Sequence, residues 1–268
     1  MDFETSFRRV DYLALLAALT VRNQVQEGVG SRPVDFVAVG LPPEPGAETA
    51  VLLYGGEDRQ AKVLGRRLAG GRIGLKYEPL NGWRRGLPLE LWEDPDFAVP
   101  EAQREAWLAD WHDEREWLKA SHRAKHSNGV AGLYEHFARD APVVTSPGAA
   151  GELLARLERR RRRLVESDLL VIAANHWNFN VRGFNPGGNH GSFFRISTHS
   201  TFMLAGGGVP RGLAVSEPYD SLSVVPTILA LSGKLGSDNQ PSEDLSKRGF
   251  MRFPGRVVTE IITQNHAR

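Results

Sequence analysis

The stretch that most constrains the fold is Asp168-Leu-Leu-Val-Ile-Ala-Ala-Asn-His176, followed by Gly187-Gly-Asn-His-Gly191. The side chains of Leu169 to Ala174 are all apolar, which predicts a strand internal to a sheet and buried on both faces. It ends at the polar pair Asn175-His176. A loop rich in Asn and Gly follows and carries a second histidine, His190. Strand ends that deliver ligand-type side chains into a loop are where α/β proteins place metal and catalytic sites.

The rest of the chain predicts strands alternating with helices. Residues 4 to 27 read as a helix. Val34 to Gly40 and Thr49 to Tyr54 read as strands, separated by the turn Leu41-Pro-Pro-Glu-Pro-Gly46. Gly55-Gly56 breaks the second strand, and Asp58 to Leu68 reads as a helix. Residues 70 to 100 hold many Gly, Pro and Trp and read as an irregular arm. Glu101 to His126 reads as one long helix with Trp107, Trp111, Trp117 and Leu118 on a stripe, and Gly129 to Phe137 as a further turn or two. Val143-Val144 is strand-like. Ser146-Pro147 opens a helix that runs to about Glu166, with a hydroxyl N-cap and proline at the first helical position. A strand near 201 to 205, a helix near 222 to 232 and a last short element at Val257 to Thr263 complete the chain. Alternation of this kind implies a mostly parallel central sheet with helices on both faces, in a single domain spanning residues 1 to 268.

Composition narrows the function. The chain has 268 residues, 41% of them hydrophobic and 24% charged, within the ordinary globular range. A formal charge of +1 gives no global field to recruit nucleic acid or an anionic membrane. Cysteine is absent, so thiolate metal sites, disulfides and cysteine nucleophiles are excluded and any metal must be held by His, Asp, Glu, Asn or hydroxyls. The apolar run Tyr12 to Val21 is about half the length needed to span a bilayer. It continues into Arg22-Asn-Gln-Val-Gln-Glu without a small-residue cleavage site, so a buried amphipathic helix and a cytoplasmic protein are the expectation.

Beyond His190 the chain reads Phe202-Met-Leu-Ala-Gly-Gly-Gly-Val-Pro-Arg-Gly212 and then Tyr219-Asp-Ser-Leu-Ser-Val-Val-Pro-Thr-Ile-Leu-Ala-Leu-Ser-Gly233. As an ordered set, residues 165 to 235 resemble the C-terminal half of the alkaline phosphatase superfamily, in its phosphodiesterase, nucleotide-pyrophosphatase and sulfatase-like branches. That family carries a strand-end Asp-His-Gly, a later His-Gly loop, an apolar strand with a glycine turn, and a helix with D-x-x-P-T-x-L-x-x-x-G. Asp220, Pro226, Thr227, Leu229 and Gly233 match the last of these; Asn175 stands where the family has Asp, and Trp177 where it has Gly. The resemblance implies an α/β fold of alkaline phosphatase-like type, with its first half divergent or truncated here. It implies a two-metal site in which His176 binds one divalent ion and His190 the other, Zn or alternatively Mn, acting on a small-molecule phosphate or sulfate ester. Asn175 offers a metal only a carbonyl dipole where the family offers a charge. The family's nucleophile, a Thr or Ser at a helix N-terminus early in the chain, has no clear counterpart. Thr145 and Ser146 precede a predicted helix, but they lie too late in the order, and capping is the stronger reading. Two functions therefore stand: a metal-dependent ester hydrolase, and a catalytically impaired homologue that works as a binding or scaffold protein.

Three further features have simpler explanations. His122 and His126 fall at i, i+4, a spacing that can chelate Zn on a helix, but a solvated helix face is the better reading in so basic a stretch. His199 reads as structural or supporting. Arg159 to Arg163 wraps a helix, with Glu152, Glu158 and Glu166 near enough to compensate.

Overall fold

The computed structural model describes residues 12–20, 33–69, 72–138, 169–174, 192–248 and 255–263. They fall into two compact units, one built from the chain up to Arg139 together with Glu166–His199, the other from Asp140–Val165 with Ser200–Arg268.

Among the described residues, the first unit is organised by a six-stranded sheet in which every pairing is antiparallel. Its strands are β1 (Val34–Leu41), β2 (Thr49–Tyr54), β3 (Gln60–Arg67), β4 (Ile73–Pro79), β5 (His112–Asp113) and β6 (Leu169–Ala173), in the spatial order β5-β4-β3-β2-β1-β6. This overturns the expected mostly parallel, alkaline phosphatase-like sheet. The physical reason lies at residues 60 to 67, expected to be helical. Ala61, Val63 and Gly65 alternate with Lys62, Leu64 and Arg66, and both edges of this segment are hydrogen-bonded, to β2 and to β4. A strand there turns the β2–β3 connection into a hairpin closed by Gly55-Gly56, and neighbours joined by a hairpin must run antiparallel. Likewise β4 lies inside the stretch read as an irregular arm.

The sheet's two faces follow the period of two. Phe36, Ala38, Val51, Leu53, Ala61, Val63, Leu75 and Tyr77 point to one face and form the main core. Three helices contribute to that core: α2 (Glu101–Leu108), α3 (Glu114–Ser121) and α4 (Gly129–Phe137), through Leu108, Trp117, Val130 and Leu133. Val37, Val39, Leu52 and Tyr54 point the other way and pack with Leu16 of α1 (Tyr12–Thr20). A register irregularity between Val34 and Phe36 places Val34 with that second set. At Gly65 a Cβ would run into the Tyr134 ring, so the absence of a side chain there lets α4 lie close on the strands. The expected long helix from Glu101 to His126 is two helices. Asp113 stops and restarts it, accepting from the Glu116 amide at 2.9 Å while the Glu116 carboxylate accepts from the Asp113 amide at 2.8 Å.

The strand at Leu169 to Ala173 is present but not internal. Among the described residues it lies at one end of the strand order, antiparallel to β1, and of its side chains only Ile172 is buried.

In the second unit, residues 201 to 205 do not form the expected strand; they have no regular secondary structure, with Phe202 40% and Met203 82% exposed. The expected helix near 222 to 232 does form. A 3-10 turn at Ser221–Ser223 leads into the α-helix α5 (Val224–Leu231). Gly233 ends it in the left-handed region at φ 69°, with the Lys234 amide donating to Leu229 O at 2.9 Å. Short helices at Glu243–Lys247 and Thr259–Thr263 follow. Among the described residues no helix is long and apolar enough to cross a membrane.

Candidate functional site

Asn175, His176 and His190, the residues of the expected metal site, lie outside the described residues, as do Thr145, Ser146 and the arginine run 159 to 163. The strand that leads to Asn175 is held at its end, where the Ala174 amide donates to Pro33 O at 2.9 Å.

The weaker histidine pair is described. α3 ends at Ser121, so His122 caps the helix and His126 sits in the turn beyond it rather than one helical turn further along the same face. Each imidazole has its own neighbours. His122 stacks on His199, ring centroids 4.5 Å apart and planes 20° from parallel. His126 is 1% exposed and packs on Phe194 at 4.6 Å. Among the described residues no three His, Asp or Glu side chains are grouped so as to hold a metal ion.

His126 instead belongs to a buried polar network. Its Nδ1 lies 3.0 Å from Leu89 O. A carbonyl only accepts, so Nδ1 bears the proton and Nε2 of the neutral ring is a bare acceptor. Nε2 has no hydrogen-bond partner and faces Asp35 Oδ2 at 3.7 Å. Asp35 Oδ1 accepts from Arg59 Nη2 at 3.0 Å, and the same guanidinium donates to Gly86 O. Burial pushes the His126 pKa below its ordinary value, against the opposing pull of Asp35. Nearby Tyr77, its hydroxyl donating to Pro88 O at 2.6 Å, has its pKa pushed up chiefly by burial.

The carbonyl that receives His126 lies on an unusual stretch of backbone. Leu89 and Glu90 are consecutive non-glycine residues in the left-handed region, at φ 69° and 49°. Such conformations persist only where the surroundings enforce them. Here the Leu89 side chain is fully buried, and Glu90 Oε1 receives Lys125 Nζ at 2.8 Å. Beside this turn opens a groove of about 710 Å³ lined by Arg85, Glu90, Glu93, Asp94, Lys125 and Arg195, among others. Most of these charges are engaged locally: Asp94 accepts from the Lys125 and Asp96 amides at 2.6 and 2.9 Å, and Glu93 from the Gly86 amide at 2.8 Å. The arrangement ties loops together. Sequence reading missed this network, although one signal was visible: Asp35 is the single charged residue inside the otherwise apolar run Val34 to Val39.

No family model, curated protein or solved structure matches this chain.

Proposed function

We propose that the chain is a divalent-metal-dependent hydrolase of small phosphate or sulfate esters, with a two-metal site in which His176 holds one ion and His190 the other, and the carbonyl oxygen of Asn175 is a further ligand. What supports this reading is the ordered set of motifs, not the sheet, which is antiparallel and unlike the one the resemblance implies. The observation that carries it is the local structure of the set's last member. Asp220 precedes the first turn, Pro226 sits in the third position of the α-helix, where a missing amide proton costs no hydrogen bond, and Gly233 takes the left-handed terminus.

The donor chemistry fits a borderline ion such as Zn. Two neutral imidazoles supply nitrogen, and an amide carbonyl supplies a dipole without charge, so weak binding is expected. An ion so held would polarise the ester's oxygen and stabilise charge developing on it. The protein's own part is to present the imidazoles unprotonated and to orient the ester. Thr145 and Ser146 are the hydroxyls to examine as nucleophiles.

Titration calorimetry with Zn or Mn tests the proposal. Weak binding is expected for the wild type, tighter binding for Asn175→Asp, and none for His176→Ala or His190→Ala. Hydrolysis of bis-p-nitrophenyl phosphate with the same ions should be slow and should vanish in both alanine variants. A second reading, a binding or scaffold protein without turnover, is favoured by the neutral Asn175 and the absent nucleophile motif. Metal binding without hydrolysis selects it. No metal binding by the wild type and by Asn175→Asp rejects the hydrolase.

A further inference from the structure

The segment Ser192–His199 is fastened to the turn Ser121–Ser127 at several points. The Arg195 amide donates to Lys125 O at 2.8 Å. The Arg195 guanidinium donates to Arg123 O and faces Asp96 Oδ2 at 3.6 Å. The hydroxyls of Ser127 and Thr198 are hydrogen-bonded to each other. Two ring contacts complete the joint, His122 on His199 and His126 on Phe194. Three of those four rings are imidazoles.

Near-parallel imidazoles pack well as neutral rings. Protonated, the same two rings would set like charges face to face, at a separation where repulsion is substantial even near a surface. The surroundings make this worse. Burial, then His199, then Arg123 and Arg195 hold His122 below the ordinary histidine value of 6.5. Among the described residues, the charged groups facing the joint are Arg123 and Lys125 from the turn, Arg195 from the segment, Glu90, Asp94 and Asp96 from the neighbouring loop, and Asp35 and Arg59 from the sheet. Their carboxylates already have partners: Glu90 has Lys125, Asp96 has Arg195, Asp35 has Arg59, and Asp94 has two backbone amides.

We propose that the His122–His199 stack is a pH-operated clasp, which holds Arg195–His199 on the turn when both rings are neutral and releases it when both are protonated. The sign follows from the ring's preference. A histidine that resists protonation while docked binds protons better when released, so docking is strongest above about pH 6.5 and weakens as pH falls below it.

Amide hydrogen exchange of the full chain, read by mass spectrometry at about pH 7.5 and 5.5 and corrected for intrinsic rates, tests this. The amides of Arg195, Ser197, Thr198 and His199 should lose roughly tenfold or more of their protection at the lower pH, while those of β2 and β3 change far less. In the double variant His122→Phe, His199→Phe, which keeps stacked rings and removes the charge, the protection should become independent of pH. Unchanged protection in the wild type overturns the proposal. So does an equal loss in the double variant, or an equal loss in β2 and β3. An independent reading comes from the His122 imidazole followed by NMR in the wild type: titration at or above the ordinary histidine value also overturns it.

Discussion

The sheet unit and the C-terminal unit are held together by different kinds of interaction. In the first, the described core is continuous and apolar, with Trp117, Tyr77, Phe36, Leu53, Leu75 and Leu133 all buried to 1% exposure or less. In the second, few large apolar side chains among the described residues are buried, and Leu222, Val225 and Ile228 are 43%, 49% and 49% exposed. Small polar side chains link its described elements instead. Thr227 Oγ1 donates to Ser223 O at 2.6 Å and accepts from the Val258 amide at 3.0 Å. Ser223 Oγ donates to Asp220 at 3.4 Å and accepts from the Arg256 amide at 3.2 Å. The Arg256 guanidinium lies over the Tyr219 ring at 4.3 Å, while Tyr219 donates to Glu260 at 2.8 Å. One unit is stabilised by area removed from water, the other by polar pairs whose loss leaves a buried group unsatisfied.

The contrast is sharpest where a large side chain is removed from the first unit. Trp117→Ala deletes the indole from the centre of the main core, together with its hydrogen bond to Leu75 O at 2.9 Å. A loss of about 3–5 kcal/mol is expected in urea unfolding. A loss under about 1 kcal/mol would mean that the core is not the source of this unit's stability.

Next is Thr227→Val, nearly isosteric and fully buried. It strands the Val258 amide, itself in a residue 2% exposed, and is expected to cost about 1–3 kcal/mol, read as faster amide exchange at Val258 and its neighbours. A neutral result would show that hydrogen bonding does not hold the C-terminal unit. The smallest effect belongs to Ile228→Ser. Removal of a comparable aliphatic side chain from the exposed side of α5 should change stability by no more than about 0.5 kcal/mol. A cost near that of a core truncation would erase the distinction between the two units, because it would show Ile228 to be buried in solution.

What could be read from sequence follows the same division. β1 and β2 announced themselves through apolar runs cut off by Pro and Gly turns, and α5 through Asp220, Pro226 and Gly233. β3 did not, because Ala61, Lys62, Leu64 and Arg66 are good helix formers; pairing on both edges overrides that preference, and one misassigned segment changed the expected sheet from antiparallel to parallel. β4 was legible in hindsight, since Ile73, Leu75 and Tyr77 alternate with Gly74, Lys76 and Glu78, but the surrounding Gly, Pro and Trp masked the period. The break between α2 and α3 was encoded in Asp113 and Glu116. For the site, sequence supplied His176, His190 and Asn175 from a motif order. The Asp35–Arg59–His126 network joins residues far apart in the chain, and no local pattern announces such a grouping.

The strand order also sets a timetable. β1 to β4 are chain neighbours joined by short turns, so each hairpin closes a small loop. β6 pairs Ala173 with Val34, and Leu169 with Val39, across most of the chain's first two thirds. Closing a loop of well over a hundred residues costs about 3 kcal/mol more in chain entropy than closing a tight hairpin. The meander is therefore expected to assemble first and β6 to add last, with its amides the latest of the sheet to gain protection in pulse-labelled refolding. Leu169–Ala173, the strand that precedes the Asn175-His176 pair in the chain, would then dock on a meander that is already assembled.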